Sequence, residues 1–102
     1  MAGSEEFLVT FTLRIPDGAD PETIDEMAAQ EAERARKLAA DGWLLRLWTL
    51  PGDGRSLGLW QPAGAGPMRD ILRSLPLASW LTTETTPLTS HPSDPVGEVS
   101  VP

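Results

Sequence analysis

Trp43-Leu44-Leu45-Arg46-Leu47-Trp48-Thr49-Leu50, then Pro51-Gly52-Asp53-Gly54, then Arg55-Ser56-Leu57-Gly58-Leu59-Trp60-Gln61: this is the stretch on which the fold turns. The two apolar runs are too short for buried helices, and their aromatic content favours strands. The Pro-Gly-Asp-Gly segment between them is a strong turn signal. Alternation puts Trp43, Leu45 and Leu47 on one face of the first run and Leu44, Arg46, Trp48 and Leu50 on the other. In the second run, Arg55, Leu57 and Leu59 oppose Ser56, Gly58 and Trp60. The segment predicts a β-hairpin.

Upstream of the hairpin the spacing predicts a helix from Pro21 to Asp41. Asp20 is a suitable N-cap, and Pro21 fits the first helical position, where its missing N–H would be unpaired anyway. Glu22, Asp25 and Glu26 put negative charge in the first turns, and Gly42 is placed to end the helix. Before it, Phe7 to Ile15 alternates with period two and predicts a strand whose Phe7, Val9, Phe11, Leu13 and Ile15 face a core. Downstream, Pro67 opens a short helix with Met68, Ile71, Leu72 and Leu75 at core spacing, and Pro76 stops it. A last strand is expected over about Ser79 to Thr86. The order β-α-β-β-α-β is the ferredoxin-like α+β arrangement, an antiparallel sheet with both helices on one face. The opposite face would be rich in Trp and Leu, which points to a subunit interface. The expected domain spans residues 1–86, and residues 87–102, with four prolines, read as an extended tail.

Composition narrows the function. The chain has 102 residues, which is one domain, and a formal charge of −7. Such acidity argues against nucleic-acid binding. No apolar run approaches the roughly 20 residues that span a bilayer, and Met1 to Glu6 is acidic where a signal peptide would be basic. With no cysteine and one histidine, disulfides, thiolate sites and a histidine-built metal site are excluded. A cytoplasmic protein with no metal, nucleic-acid or membrane partner is expected.

The most informative residue is Glu31. At about 100° per residue, Ile24, Met27, Ala28, Ala35 and Leu38 form one stripe of the long helix, and Glu31 falls in its middle. Glu33 lies on the solvent side. A carboxylate aimed at a core is paired, displaced to the rim, or kept for acid–base chemistry with a raised pKa. Arg46 and Arg55 sit in strands otherwise rich in Leu and Trp. Either can hold a substrate carboxylate or an enolate oxygen, or serve in an ion pair or in packing against tryptophan. Trp48 and Trp60 are candidates to line a pocket for a flat ring. His91 lies in the tail as Ser90-His91-Pro92-Ser93, and reaches a site only if the tail folds onto one. Gly64-Ala65-Gly66 lacks the residues of a phosphate-binding loop.

Together these motifs resemble the muconolactone delta-isomerase family. The resemblance covers about Phe7 to Asp94: the first strand ending at Pro16, the Asp20-Pro21 helix start, Glu31 and Glu33, Gly42, Leu47-Trp48, Gly52, Leu75-Pro76-Leu77 and His91-Pro92-Ser93. It implies ferredoxin-like subunits paired sheet to sheet as a dimeric α+β barrel and assembled into a larger homo-oligomer, up to a decamer. It also implies a cofactor-free, metal-free proton shift in a small unsaturated lactone during aromatic catabolism. The chain departs from the family in two places. Arg46 stands where a histidine is usual, and Gly54-Arg55-Ser56 where Tyr-Ala-Asn is usual, so Arg55 and Ser56 join the expected substrate-binding set.

The expected activity is therefore an isomerase in which Glu31 moves the proton and Arg46 or Arg55 holds the substrate carboxylate or the dienolate oxygen. The alternatives are a tailoring enzyme acting on an aromatic or polyketide-like compound, and a non-catalytic homo-oligomer that binds a small apolar acid.

Overall fold

The structure, a computed structural model, describes residues 6–63 and 65–96. Four strands and two helices follow in the order β1 (Glu6–Leu13), α1 (Pro21–Ala40), β2 (Leu44–Thr49), β3 (Arg55–Trp60), α2 (Ala65–Arg73) and β4 (Leu81–Leu88), with a single 3₁₀ turn at Ala78–Trp80 before β4. The strands form one antiparallel sheet in the order β2-β3-β1-β4. Each helix thus connects two strands that have a third strand between them, which is the ferredoxin-like topology.

The helix ends follow from local chemistry. Asp20 occupies the N-cap in an extended conformation, and its carbonyl accepts the Ile24 N–H at 2.9 Å. Its carboxylate caps no backbone N–H and instead accepts the Thr23 hydroxyl at 3.3 Å, so the side-chain half of the expected cap is missing. At the other end, Trp43 N–H donates to Leu38 O at 2.9 Å and Gly42 N–H to Ala39 O at 3.0 Å, with Gly42 at φ +87°. That pair of bonds is a Schellman motif. It turns the chain directly into β2.

The core lies between the helices and one sheet face. Phe7, Val9 and Phe11 of β1, Leu38 of α1, Leu44 of β2, Trp60 of β3, Met68 of α2 and Leu75 are buried together. Burial along the α1 stripe rises from half at Ile24 and Met27 to full at Leu38, while Ala28 is exposed. β1 ends at Leu13, two residues short of expectation, and Ile15 is exposed.

Three other expectations are corrected. The short helix starts at Ala65, two residues before Pro67, which is tolerated because a proline in the first turn breaks no helical bond. Residues 78–80 form the 3₁₀ turn rather than the start of a strand, and β4 continues through Pro87 to Leu88, past the expected domain boundary at residue 86. Proline fits there because β4 is an edge strand that pairs only with β1. The third correction concerns β2. A bulge interrupts its register between Leu44 and Arg46, so Leu44 pairs with Trp60 while Arg46 pairs with Leu59. A bulge adds one residue and swaps the faces beyond it. Leu47 and Thr49, opposite Gly58 and Ser56, therefore share the helix-side face with Leu44, and Arg46 and Trp48 take the outer face. Simple alternation had placed Leu47 and Leu44 on opposite sides.

From Thr89 to Val96 the chain is exposed, and its hydrogen bonds among the described residues are local turns. The remainder of the expected tail, residues 97–102, lies outside the described residues, as does most of the acidic N-terminal segment and Gly64. Among the described residues no helix is long and apolar enough to cross a membrane.

Candidate active site

Where α1 crosses the sheet, the sequence supplies small side chains. Ala32 and Ala35 face the same space as Glu31, and Gly52 and Gly54 of the hairpin turn add no bulk. Larger residues at those helical positions would close the helix against the sheet. Instead a cavity of about 380 Å³ opens there. Its walls are mostly apolar, from Phe11, Leu44, Leu47, Trp60, Leu75 and Leu81. The polar residues that line it are Glu31, Thr49, Arg55 and Ser56. That size and character suit a small organic ligand.

Glu31 is half-buried, and its Oε1 accepts the backbone N–H of Leu77 at 3.0 Å. This N–H is free to donate because Pro76 ends the helical pattern just before it. Burial raises the Glu31 pKa above the ordinary 4.5, and the Leu77 hydrogen bond opposes that shift only in part. The bond fixes the carboxylate by one oxygen and leaves Oε2 without a donor among the described residues. Glu33, by contrast, is exposed and pairs with Arg36 one turn along the helix.

The hairpin turn positions Arg55. Gly54 adopts φ +68°, and a Cβ there would lie 2.7 Å from the Leu13 carbonyl oxygen, so only glycine fits. Its carbonyl accepts the Leu13 N–H at 2.7 Å, which ties the turn to β1. Arg55 Nη1 donates to Pro51 O at 3.3 Å, which curls the side chain back along the turn, and the residue lines the rim of the cavity. No ion pair joins Glu31 to either Arg46 or Arg55 among the described residues.

The candidates named from sequence divide accordingly. Glu31, Arg55, Ser56 and Trp60 meet at the cavity. Arg46 does not. The bulge turns it to the outer sheet face, where its guanidinium lies 4.9 Å from the Trp48 ring centroid, so both Arg46 and Trp48 are absent from the cavity of this chain. His91 is exposed in the tail, with Nδ1 accepting Ser93 N–H at 2.9 Å, and is also absent from the cavity. Sequence reasoning missed Leu77, whose contribution is a backbone N–H, and Thr49, whose inward direction depends on the bulge.

Comparison with known proteins gives the family and the fold. A family model described as muconolactone delta-isomerase matches residues 6–94. A muconolactone delta-isomerase of Rhodococcus opacus is 31% identical over 88 residues, covering 86% of this chain and 95% of the relative. Muconolactone delta-isomerase 1 of Acinetobacter lwoffii is 32% identical, with 85% and 91% covered. A crystal structure of muconolactone isomerase superposes with a TM-score of 0.81 at 28% identity, covering 87% of this chain and 93% of that one. The chain belongs to the muconolactone delta-isomerase family.

Proposed function

We propose that this protein is a cofactor-independent isomerase that shifts a proton within a small unsaturated lactone of the muconolactone kind, in aromatic catabolism. The observation that carries the reading is Glu31: a carboxylate held by one oxygen in an apolar cavity, its proton affinity raised by burial. Moving a double bond next to a carbonyl requires a base that removes a proton from one carbon and an acid that returns it to another. A single carboxyl group does both when its pKa lies closer to neutrality than that of a solvated glutamate. Oε2 is the oxygen free for this transfer. Arg55, at the rim, is placed to hold a substrate carboxylate, and Ser56 and Thr49 offer hydroxyls nearby.

The outer sheet face supports the expected homo-oligomer. Leu8, Leu57 and Leu59 are only half-buried there, and Trp48 is exposed beside them. Pairing two such faces would remove this surface from water. The absence of cysteine fits a cytoplasmic setting. One observation favours the second reading: about 380 Å³ is ample for a small lactone, so a larger aromatic or polyketide-like substrate also fits.

Purified protein incubated with muconolactone in heavy water tests the first reading. Loss of the starting vinyl pattern, with deuterium appearing at the new position, is expected by proton NMR. No isomerisation and no exchange at micromolar protein would overturn it.

A further inference from the structure

We propose that the indole N–H of Trp60 is a hydrogen-bond donor to the carbonyl oxygen of the bound ligand, and so a specificity-determining contact of the cavity. The inference rests on the cavity being the substrate site.

Trp60 is 2% exposed, and its Nε1 is buried without a hydrogen-bond partner among the described residues. A buried N–H with no acceptor costs about 1–3 kcal/mol, and buried donors are nearly always satisfied by protein, water or ligand. Phenylalanine would fill most of the same space without that cost. The ring also has a specific neighbour. Trp60 and Gly58 lie two residues apart on the helix-side face of β3, and the indole folds back over Gly58. A Cβ on Gly58 would stand 2.5 Å from Trp60 Nε1. The glycine thus makes room for the nitrogen end of the ring in particular.

Leu47 closes the same spot. It pairs with Gly58 across the β2–β3 ladder, and its Cδ1 would lie 3.4 Å from that Cβ position. Both Leu47 and Trp60 line the cavity. Leu47 is 53% exposed on an edge strand, so its side chain has open space into which to turn. A ligand entering past it exchanges a methyl contact for a hydrogen bond to the N–H.

The donor suits the chemistry. When the proton leaves the ligand carbon for Glu31 Oε2, the C–H electron pair moves into the ring and charge develops on the carbonyl oxygen. When Glu31 returns the proton at the far carbon, that charge is withdrawn. A fixed N–H in apolar surroundings stabilises the intermediate charge without carrying a charge of its own. Arg55 is then left for the carboxylate.

The test uses the full chain, ¹⁵N-labelled, with the indole signal of Trp60 assigned by its disappearance in Trp60→Phe. Muconolactone and cyclopentylacetate, which has a ring and a carboxylate but no ring carbonyl, are titrated separately while the Ala32 and Ala35 methyl signals report occupancy. The Trp60 indole proton is expected to move downfield with muconolactone alone, while the methyls respond to both. Trp60→Phe is expected to lower kcat by about 10²–10³, with KM changed far less. Methyl shifts without an indole response, or the same indole response to both compounds, would overturn the donor and leave the cavity reading intact. No response of methyls or indole to muconolactone would overturn both.

Discussion

Replacing Glu31 by glutamine isolates one proton site from everything else the residue does. The amide oxygen keeps an acceptor for Leu77 N–H, now at 3.0 Å, and the side chain keeps its shape. What is lost is the basic oxygen Oε2. General acid–base catalysis contributes about 10²–10⁴ in rate, so kcat should fall by that factor, equal to roughly 3–5 kcal/mol in barrier height. Glu33→Gln on the same helix removes only an exposed contact with Arg36 and should change neither turnover nor melting temperature measurably.

Stability supplies the sharper half of the prediction. Burial raises the Glu31 pKa in the folded protein above 4.5. The folded state therefore binds this proton more tightly than the unfolded chain does. The resulting stabilisation is complete below the unfolded value and is lost as pH rises through the folded one. Glutamine holds the neutral form at every pH. Calorimetry should then find Glu31→Gln matching the parent near pH 4 and melting above it near pH 7, while turnover is lost. In the parent, kcat/KM should fall on acidification through the raised pKa as the base becomes protonated. A variant less stable than the parent at pH 7 but equal at pH 4 would show that the charge is paired in the fold, and would refute the argument from burial.

Other consequences can be measured separately. Glu31→Ala leaves Leu77 N–H without its acceptor and should cost about 1–3 kcal/mol in denaturant unfolding, in contrast to the glutamine variant. Arg55→Gln should raise KM for a carboxylate-bearing lactone with a smaller change in kcat, and the effect should vanish for the methyl ester. Gly54→Ala forces a side chain into φ +68° against the Leu13 carbonyl and should lower stability by about 2 kcal/mol or more. If the parent assembles through the outer sheet face as proposed, Trp48→Glu on that face should give a folded monomer of 11.0 kDa by sedimentation; a parent that is itself monomeric, or a variant assembly of unchanged size, would refute the interface proposed there.

Most of the architecture is written in local signals. Pro21, Gly42, the Pro51–Gly54 turn and Pro76 each impose a boundary through backbone chemistry, and the two helices and the hairpin follow. Glu31 was legible for the same reason, because helical period alone sets its direction. The structure departs from the sequence reading where direction depends on partners. The 3₁₀ turn at Ala78–Trp80 arises from the packing of Leu77, which is buried, and from Trp80 O accepting Arg14 N–H at 2.8 Å. Neither contact has a periodic signature. The Leu77 N–H that holds Glu31 is a backbone group 46 residues away, invisible to any pattern of side chains.

The bulge in β2 has the largest chemical consequence. Without it, Arg46 would lie on the same face as Leu44, next to the cavity, and would favour the ionised form of Glu31. With it, Arg46 stacks on Trp48 on the far side of the sheet, and Leu47 takes the place on the cavity wall. The cation is exchanged for a hydrocarbon. Desolvation then has only the Leu77 hydrogen bond against it, and the Glu31 pKa goes up rather than down. A carboxylate paired with arginine would be a weaker base for the proposed reaction, because a lowered proton affinity makes abstraction of a proton from carbon more uphill. One extra residue in an edge strand thus keeps a cation off the cavity wall that Glu31 faces, and in the proposed reaction Arg55 is the cation left to meet a substrate carboxylate.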